Sequence, residues 1–179
     1  MFLQHWGATE SEILGPVVGD DICPHARISA TRCISVSGTS AETFPWIRQM
    51  GFGKAGWYSY DWLDNLGRKS AITVKPKWQN VSSGSQVPGG PISFTAEIVQ
   101  EPSAFVLSVI PKGRLAKRLC FTLAYELRED QEGTRIVTRM RARVSLPFGR
   151  LIEKFILAPG DGIMVRKQLL NLAKRINTQ

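Results

Sequence analysis

Cysteine and histidine are scarce in this 179-residue chain: three cysteines and two histidines. Cys23, Cys33 and Cys120 form an odd, scattered set without CxxC spacing. This argues against a disulfide framework or a zinc site and is expected of a reducing cytoplasm. His5 and His25 both fall in an irregular N-terminal stretch, remote from any nucleophile candidate, so neither a Ser-His-Asp nor a Cys-His arrangement is supported. No Gly-rich phosphate loop follows a strand pattern. The longest apolar-rich run, Ala104 to Ile110, is much too short to span a bilayer. Met1-Phe-Leu-Gln-His-Trp-Gly7 lacks the charged-then-apolar layout of a signal peptide, so a cytoplasmic protein is expected. No cofactor and no metal are expected.

What remains is the composition of an ordinary globular chain, 43% hydrophobic and 21% charged, long enough for one sizeable core. The net charge of +8 is unevenly spread. Residues 1–109 hold 8 Lys/Arg against 9 Asp/Glu, and residues 110–179 hold 15 against 6. A solvated basic face is the default reading of such asymmetry. It also admits a weak contact with an anionic membrane surface, but no specific nucleic-acid partner, since no aromatic rings interleave the arginines as a stacking platform.

The most informative stretch is Ala55-Gly-Trp-Tyr-Ser-Tyr-Asp-Trp-Leu-Asp-Asn-Leu-Gly67, four aromatic rings and two carboxylates in thirteen residues. Rings so concentrated are expected in a core or lining a pocket.

Residues 1–26 read as an extended lead-in with one short helix near Glu10–Leu14, followed by one domain over 27–179. Ile28, Ala30, Ile34 and Val36 share one parity of a first strand, with Arg32 as the exception. Thr39 or Ser40 caps a helix containing Glu42 and running to about Met50, with Phe44, Ile47 and Trp46 as its inward candidates. A second short helix is expected over Tyr60–Leu66, capped by Asp61 and stopped by Gly67. Residues 80–91 read as a loop.

A meander follows, with strands at Ile92–Val99, Ala104–Ile110, Leu119–Arg128 and a last one through Val144. Phe121, Leu123, Tyr125 and Leu127 share one face, as do Ile136, Thr138, Met140, Ala142 and Val144. Arg135, Arg139, Arg141 and Arg143 take the opposite face. This pattern predicts an antiparallel sheet with one buried and one wet face, the arginines pairing across strands with acids such as Glu126. A closing helix from an Asp161 N-cap to about Ile176 places Val165, Leu169, Leu172, Ala173 and Ile176 on one arc. Arg166 lands within the wider apolar sector, where a charge needs a partner.

This order of elements is that of an α+β helix-grip fold, a curved antiparallel sheet wrapped around a long C-terminal helix. The chain resembles the SRPBCC superfamily: START lipid-transfer domains, birch-pollen-type allergens and polyketide cyclase/dehydrase-like proteins. The resemblance covers most of the chain in order. It is carried by Trp6-Gly-Ala-Thr9, Pro45-Trp-Ile-Arg-Gln-Met-Gly51, the aromatic motif, Gly133-Thr-Arg135, Pro159-Gly-Asp161 and Met164-Val-Arg-Lys-Gln-Leu-Leu170. The chain departs from it at Ala158 and Val165, where acidic residues are expected, and in a shorter loop after Leu66.

The resemblance implies an internal cavity and a hydrophobic small-molecule partner, a lipid or a polyketide-like compound. Candidate ligand-binding residues are Trp57, Tyr58, Tyr60, Trp62, Phe121, Leu123, Tyr125, Met140, Arg166 and Leu169. Binding without catalysis is the leading expectation. The alternative is a cyclase/dehydrase-type enzyme with Asp61 or Tyr60 moving protons. A third is an interaction module using the basic surface. Trp57 and Trp62 are expected in the core more than on a ligand.

Overall fold

The computed structural model describes residues 4–111, 113, 118–145 and 158–178. In chain order they form α1 (Glu10–Leu14), β1 (Ile28–Val36), α2 (Ser40–Arg48) and α3 (Asp61–Asp64). Then come β2 (Gln86–Pro88), β3 (Ser93–Gln100), β4 (Ala104–Val109), β5 (Leu119–Asp130), β6 (Gly133–Val144) and α4 (Ala158–Ile176). The six strands make one antiparallel sheet in the order β1-β6-β5-β4-β3-β2. β1 reaches the far edge because the two helices after it carry the chain across the sheet.

Two helices start in the same way. Thr39 accepts from the Glu42 amide, and the Glu42 carboxylate accepts from the Thr39 amide; Thr9 and Glu12 do the same for α1. Pro45 sits within α2, which ends at Arg48, two residues sooner than expected. Phe44, Trp46 and Ile47 are buried, with Phe44 edge-on to Phe105 of β4 at 6.5 Å. Each such large side chain contributes about 1.5–3 kcal/mol on burial.

The alternation in the sequence produces the inner face. In register across the sheet lie Ala96, Leu107, Leu123, Met140 and Ala30, one residue from each of β3, β4, β5, β6 and β1. The neighbouring row runs Phe105, Tyr125, Thr138 and Arg32. α4 lies over this face, closest to β1, with Val165, Leu169, Leu172, Ala173 and Ile176 buried on the expected arc. A register slip between Ala96 and Ile98 breaks the β3–β4 ladder, the kind of irregularity that bends a strand.

Several expectations need correction. The outer face is not wet. Residues 6–24 lie across it, and Val17 with Cys33, Val106, Ala124 and Val137 forms a second, smaller apolar core. Arg135, Arg139 and Arg141 do not pair with acids of the neighbouring strands; they hold this N-terminal segment. Arg139 donates to the carbonyls of Glu12, Ile13 and Gly15, to Thr31 Oγ1 and to Asp20. Arg135 binds the Glu12 carboxylate and the Gly7 carbonyl, and Arg141 binds the Cys23 and Pro24 carbonyls. Glu126 accepts from the Val18 amide and from Arg128 of its own strand. A carbonyl carries no charge and no periodicity, so these partners leave no trace in a hydropathy pattern.

β2 lies inside the stretch read as a loop, where Pro88 and the adjacent glycines mask a short edge strand. α4 begins at Ala158, so Asp161 lies inside the helix instead of capping it; Pro159 in the first turn lacks a donor that would be unused there. α3 is a single turn with Tyr60 at its N-cap position, so Asp61 does not cap it.

Candidate functional site

The aromatic motif passes between the sheet and α4, and its backbone is bonded to the helix. Gln168 Nε2 donates to the Trp57 carbonyl at 2.8 Å, Asn171 Nδ2 to the Tyr58 carbonyl at 2.8 Å, and Ser59 Oγ to the Met164 carbonyl at 3.0 Å. These bonds hold an unusual conformation: Tyr58 has φ +57°, a left-handed geometry that bulky residues rarely adopt. Its ring is fully buried, edge-on to Trp46 at 6.1 Å and under the Arg175 guanidinium at 5.0 Å. Its hydroxyl accepts from Gln49 Nε2 at 2.6 Å. Burial pushes the Tyr58 phenol well above its ordinary value.

Facing this segment is a row of rings. Trp57 meets Phe94 at 5.3 Å, and Phe94 meets Phe121 at 6.1 Å. Trp57 is buried, whereas Phe94 and Phe121 are partly open. Below them Leu123, Met140, Leu169 and Met50 belong to the main core.

Polar groups interrupt this apolar interior at one level. The Tyr125 hydroxyl donates to Gln168 Oε1 at 2.7 Å, linking mid-sheet to helix. Thr138 stands beside Tyr125 and opposite Arg32, all three on the inner face and fully buried. Thr138 Oγ1 has no hydrogen-bond partner. A buried hydroxyl in that state costs about 1–3 kcal/mol.

The candidate residues thus divide. Trp57, Tyr58, Leu123, Tyr125, Met140 and Leu169 are buried in the interior and Phe121 borders it. Tyr60 is half-buried. Trp62 is exposed, not core, because α3 is too short to turn it inward. Arg166 is also exposed, its guanidinium 5.2 Å from the Trp6 ring. Asp61 accepts from the Ser70 amide and hydroxyl, closing the neck of a loop. Asp64 carries the perturbed acid: both oxygens are buried without a hydrogen-bond partner, and desolvation, with Asp61 nearby, raises it to about 6.

The sequence candidates do not include Gln168 or Phe94, and Thr138 enters them only as a member of the inner parity of the last strand. Gln168 had a signal, a polar residue at i+3 from Val165 and four before Leu172 on the apolar arc. Phe94 shares parity with Ala96. Among the described residues, no three His, Cys, Asp or Glu side chains converge as a metal site, and no helix is long and apolar enough to cross a membrane.

No family model matches the chain, and no curated protein is detectably similar to it. Solved structures are similar in fold. The di-domain aromatase/cyclase StfQ of the steffimycin biosynthetic pathway has TM-score 0.54 at 7% identity, over 88% of this chain and 53% of that one. The KanY protein has TM-score 0.52 at 11% identity, over 83% and 97%. Norcoclaurine synthase from Thalictrum has TM-score 0.45 at 10% identity, over 83% and 93%. The chain corresponds to about half of StfQ. A six-stranded antiparallel sheet gripping a C-terminal helix, shared with StfQ and KanY at such low identity, is the helix-grip fold.

Proposed function

We propose that this protein binds an amphipathic small molecule, lipid- or polyketide-like, between the inner face of the sheet and α4. The apolar body lies along Phe94 and Phe121, which offer large, partly open ring surfaces, with the buried Trp57 ring packed against Phe94. An oxygen of the ligand accepts from Thr138 Oγ1, satisfying a hydroxyl otherwise buried alone. That unpartnered hydroxyl is the observation that carries the reading. The similar fold of an aromatase/cyclase domain supports it at the level of scaffold. Asp61 has a structural task at Ser70, which favours binding over proton transfer by that residue.

Displacement of a fluorescent fatty acid tests the reading. Thr138→Val is expected to stabilise the free protein while weakening probe uptake about tenfold, a split that simple misfolding does not produce. Phe121→Ala weakens uptake as well. Failure of the wild type to take up any hydrophobic probe overturns the proposal, as does undiminished uptake by Thr138→Val.

A further inference from the structure

The hydrogen bonds of Asp61 to Ser70 close residues 61–70 into a compact loop standing off the core. What this loop presents outward is unusual. Trp62 is 72% exposed, Leu63 53% and Leu66 74%, and Ile72 just past the neck is 80% exposed. Four large apolar side chains within eleven residues exceed the scatter of single apolar residues on an ordinary surface.

The charges around them have one sign. From Asn65 to Lys77 the chain carries Arg68, Lys69, Lys75 and Lys77, all exposed, and no carboxylate. The two acids of the loop are turned inward, Asp61 onto Ser70 and Asp64 with both oxygens buried. Lys174, also exposed, stands next to Arg175, which holds the Ala71 carbonyl.

An exposed tryptophan and leucines followed along the chain by exposed cations match the chemistry of a lipid headgroup region, where indole sits at the interface and lysine and arginine meet anionic headgroups. A protein partner with acidic residues would meet the cations but leave the exposed rings to water unless it also brought an apolar surface.

We infer that the loop closed by Asp61 and Ser70 is a docking surface for an anionic lipid bilayer, with Trp62, Leu63 and Leu66 entering the interface. Arg68, Lys69, Lys75 and Lys77 contact the headgroups. The surface lies outside the interior proposed to hold a ligand, so neither reading depends on the other.

Co-sedimentation with phosphatidylcholine vesicles, with and without phosphatidylglycerol, tests it. The wild type is expected to pellet only when phosphatidylglycerol is present, and less as salt rises. Trp62→Ser with Leu66→Ser abolishes pelleting. Arg68→Gln with Lys69→Gln weakens it about twenty-five-fold, since each cation contributes about fivefold at low salt. Should the serine pair lower the Tm, the glutamine pair, which alters charge alone, decides. Equal pelleting without phosphatidylglycerol overturns the proposal, as does unchanged pelleting of the serine or the glutamine pair. A self-association removed by the serine pair, with no vesicle capture, makes the patch a contact between copies and also overturns it.

Discussion

Tyr125 on β5 and Gln168 on α4 are joined by a 2.7 Å hydrogen bond, and the same Gln168 donates to the Trp57 carbonyl at 2.8 Å. One amide therefore ties together the sheet, the helix and the aromatic motif. Tyr125→Phe leaves Gln168 Oε1 buried without that donor. It is expected to cost about 1–3 kcal/mol, read as a shifted midpoint of urea unfolding at unchanged slope.

Arg139 is the central tie of the N-terminal segment, serving three carbonyls and Asp20 from a buried position. Arg139→Met is expected to lower stability by about 1–3 kcal/mol, the cost of leaving the carbonyls it serves without their donor. Limited proteolysis should then cut between residues 8 and 24 before it cuts the sheet. Unchanged protection of that stretch would refute the assignment.

Two acids give opposite pH dependences. The Arg135 hydrogen bond holds Glu12 down at about 2 from an ordinary 4.5. The folded state then binds fewer protons than the unfolded one in that window. This contribution is present above pH 4.5 and is lost as pH falls toward 2. Glu12→Gln should flatten the acid limb of a stability–pH curve.

Asp64 behaves in reverse, raised from 3.8 to about 6 chiefly by desolvation. The folded state holds the proton more tightly, so stability declines as pH rises from about 4 to 6. Asp64→Asn is expected to remove that decline and to stabilise the protein at pH 7. The gain should be about 1 kcal/mol, since partial exposure screens the burial cost.

Leu66 has φ +51°, a left-handed conformation, with its side chain in water. Leu66→Gly relieves the backbone at the loss of little packing, and a gain of about 0.5–1 kcal/mol is expected from thermal unfolding. The same change should weaken association with anionic vesicles. A leucine kept at a strained, exposed position is what an interfacial role requires.

The sheet, α4 and the capped start of α2 were legible because each rests on a periodic or local signal: parity over 121–127 and 136–144, an apolar arc, a Thr39–Glu42 pair. Arg32, the one exception to the parity of β1, was visible in the sequence and stands on the inner face. The covering of the outer face was not legible. Its bonds run from arginines to carbonyls more than a hundred residues away, and any residue can supply a carbonyl. The rings of the aromatic motif diverge. Gly56 and Tyr58, both at positive φ, break the helical or strand period by which orientations are read, so Tyr58 enters the core while Trp62 faces out.

At the β1 border of the sheet the N-terminal segment crosses the strand. The Cys33 amide there donates to the Trp6 carbonyl, and Gly7, at φ +71°, lies so near that an added Cβ would come within 2.3 Å of the Cys33 oxygen. A free strand margin invites another chain to zip onto it. With Trp6 and Gly7 seated at its midpoint, β1 offers no such template, and Gly7→Val would unseat them. Fibrous assembly of that variant, against a dispersed wild type, is the outcome this arrangement guards against.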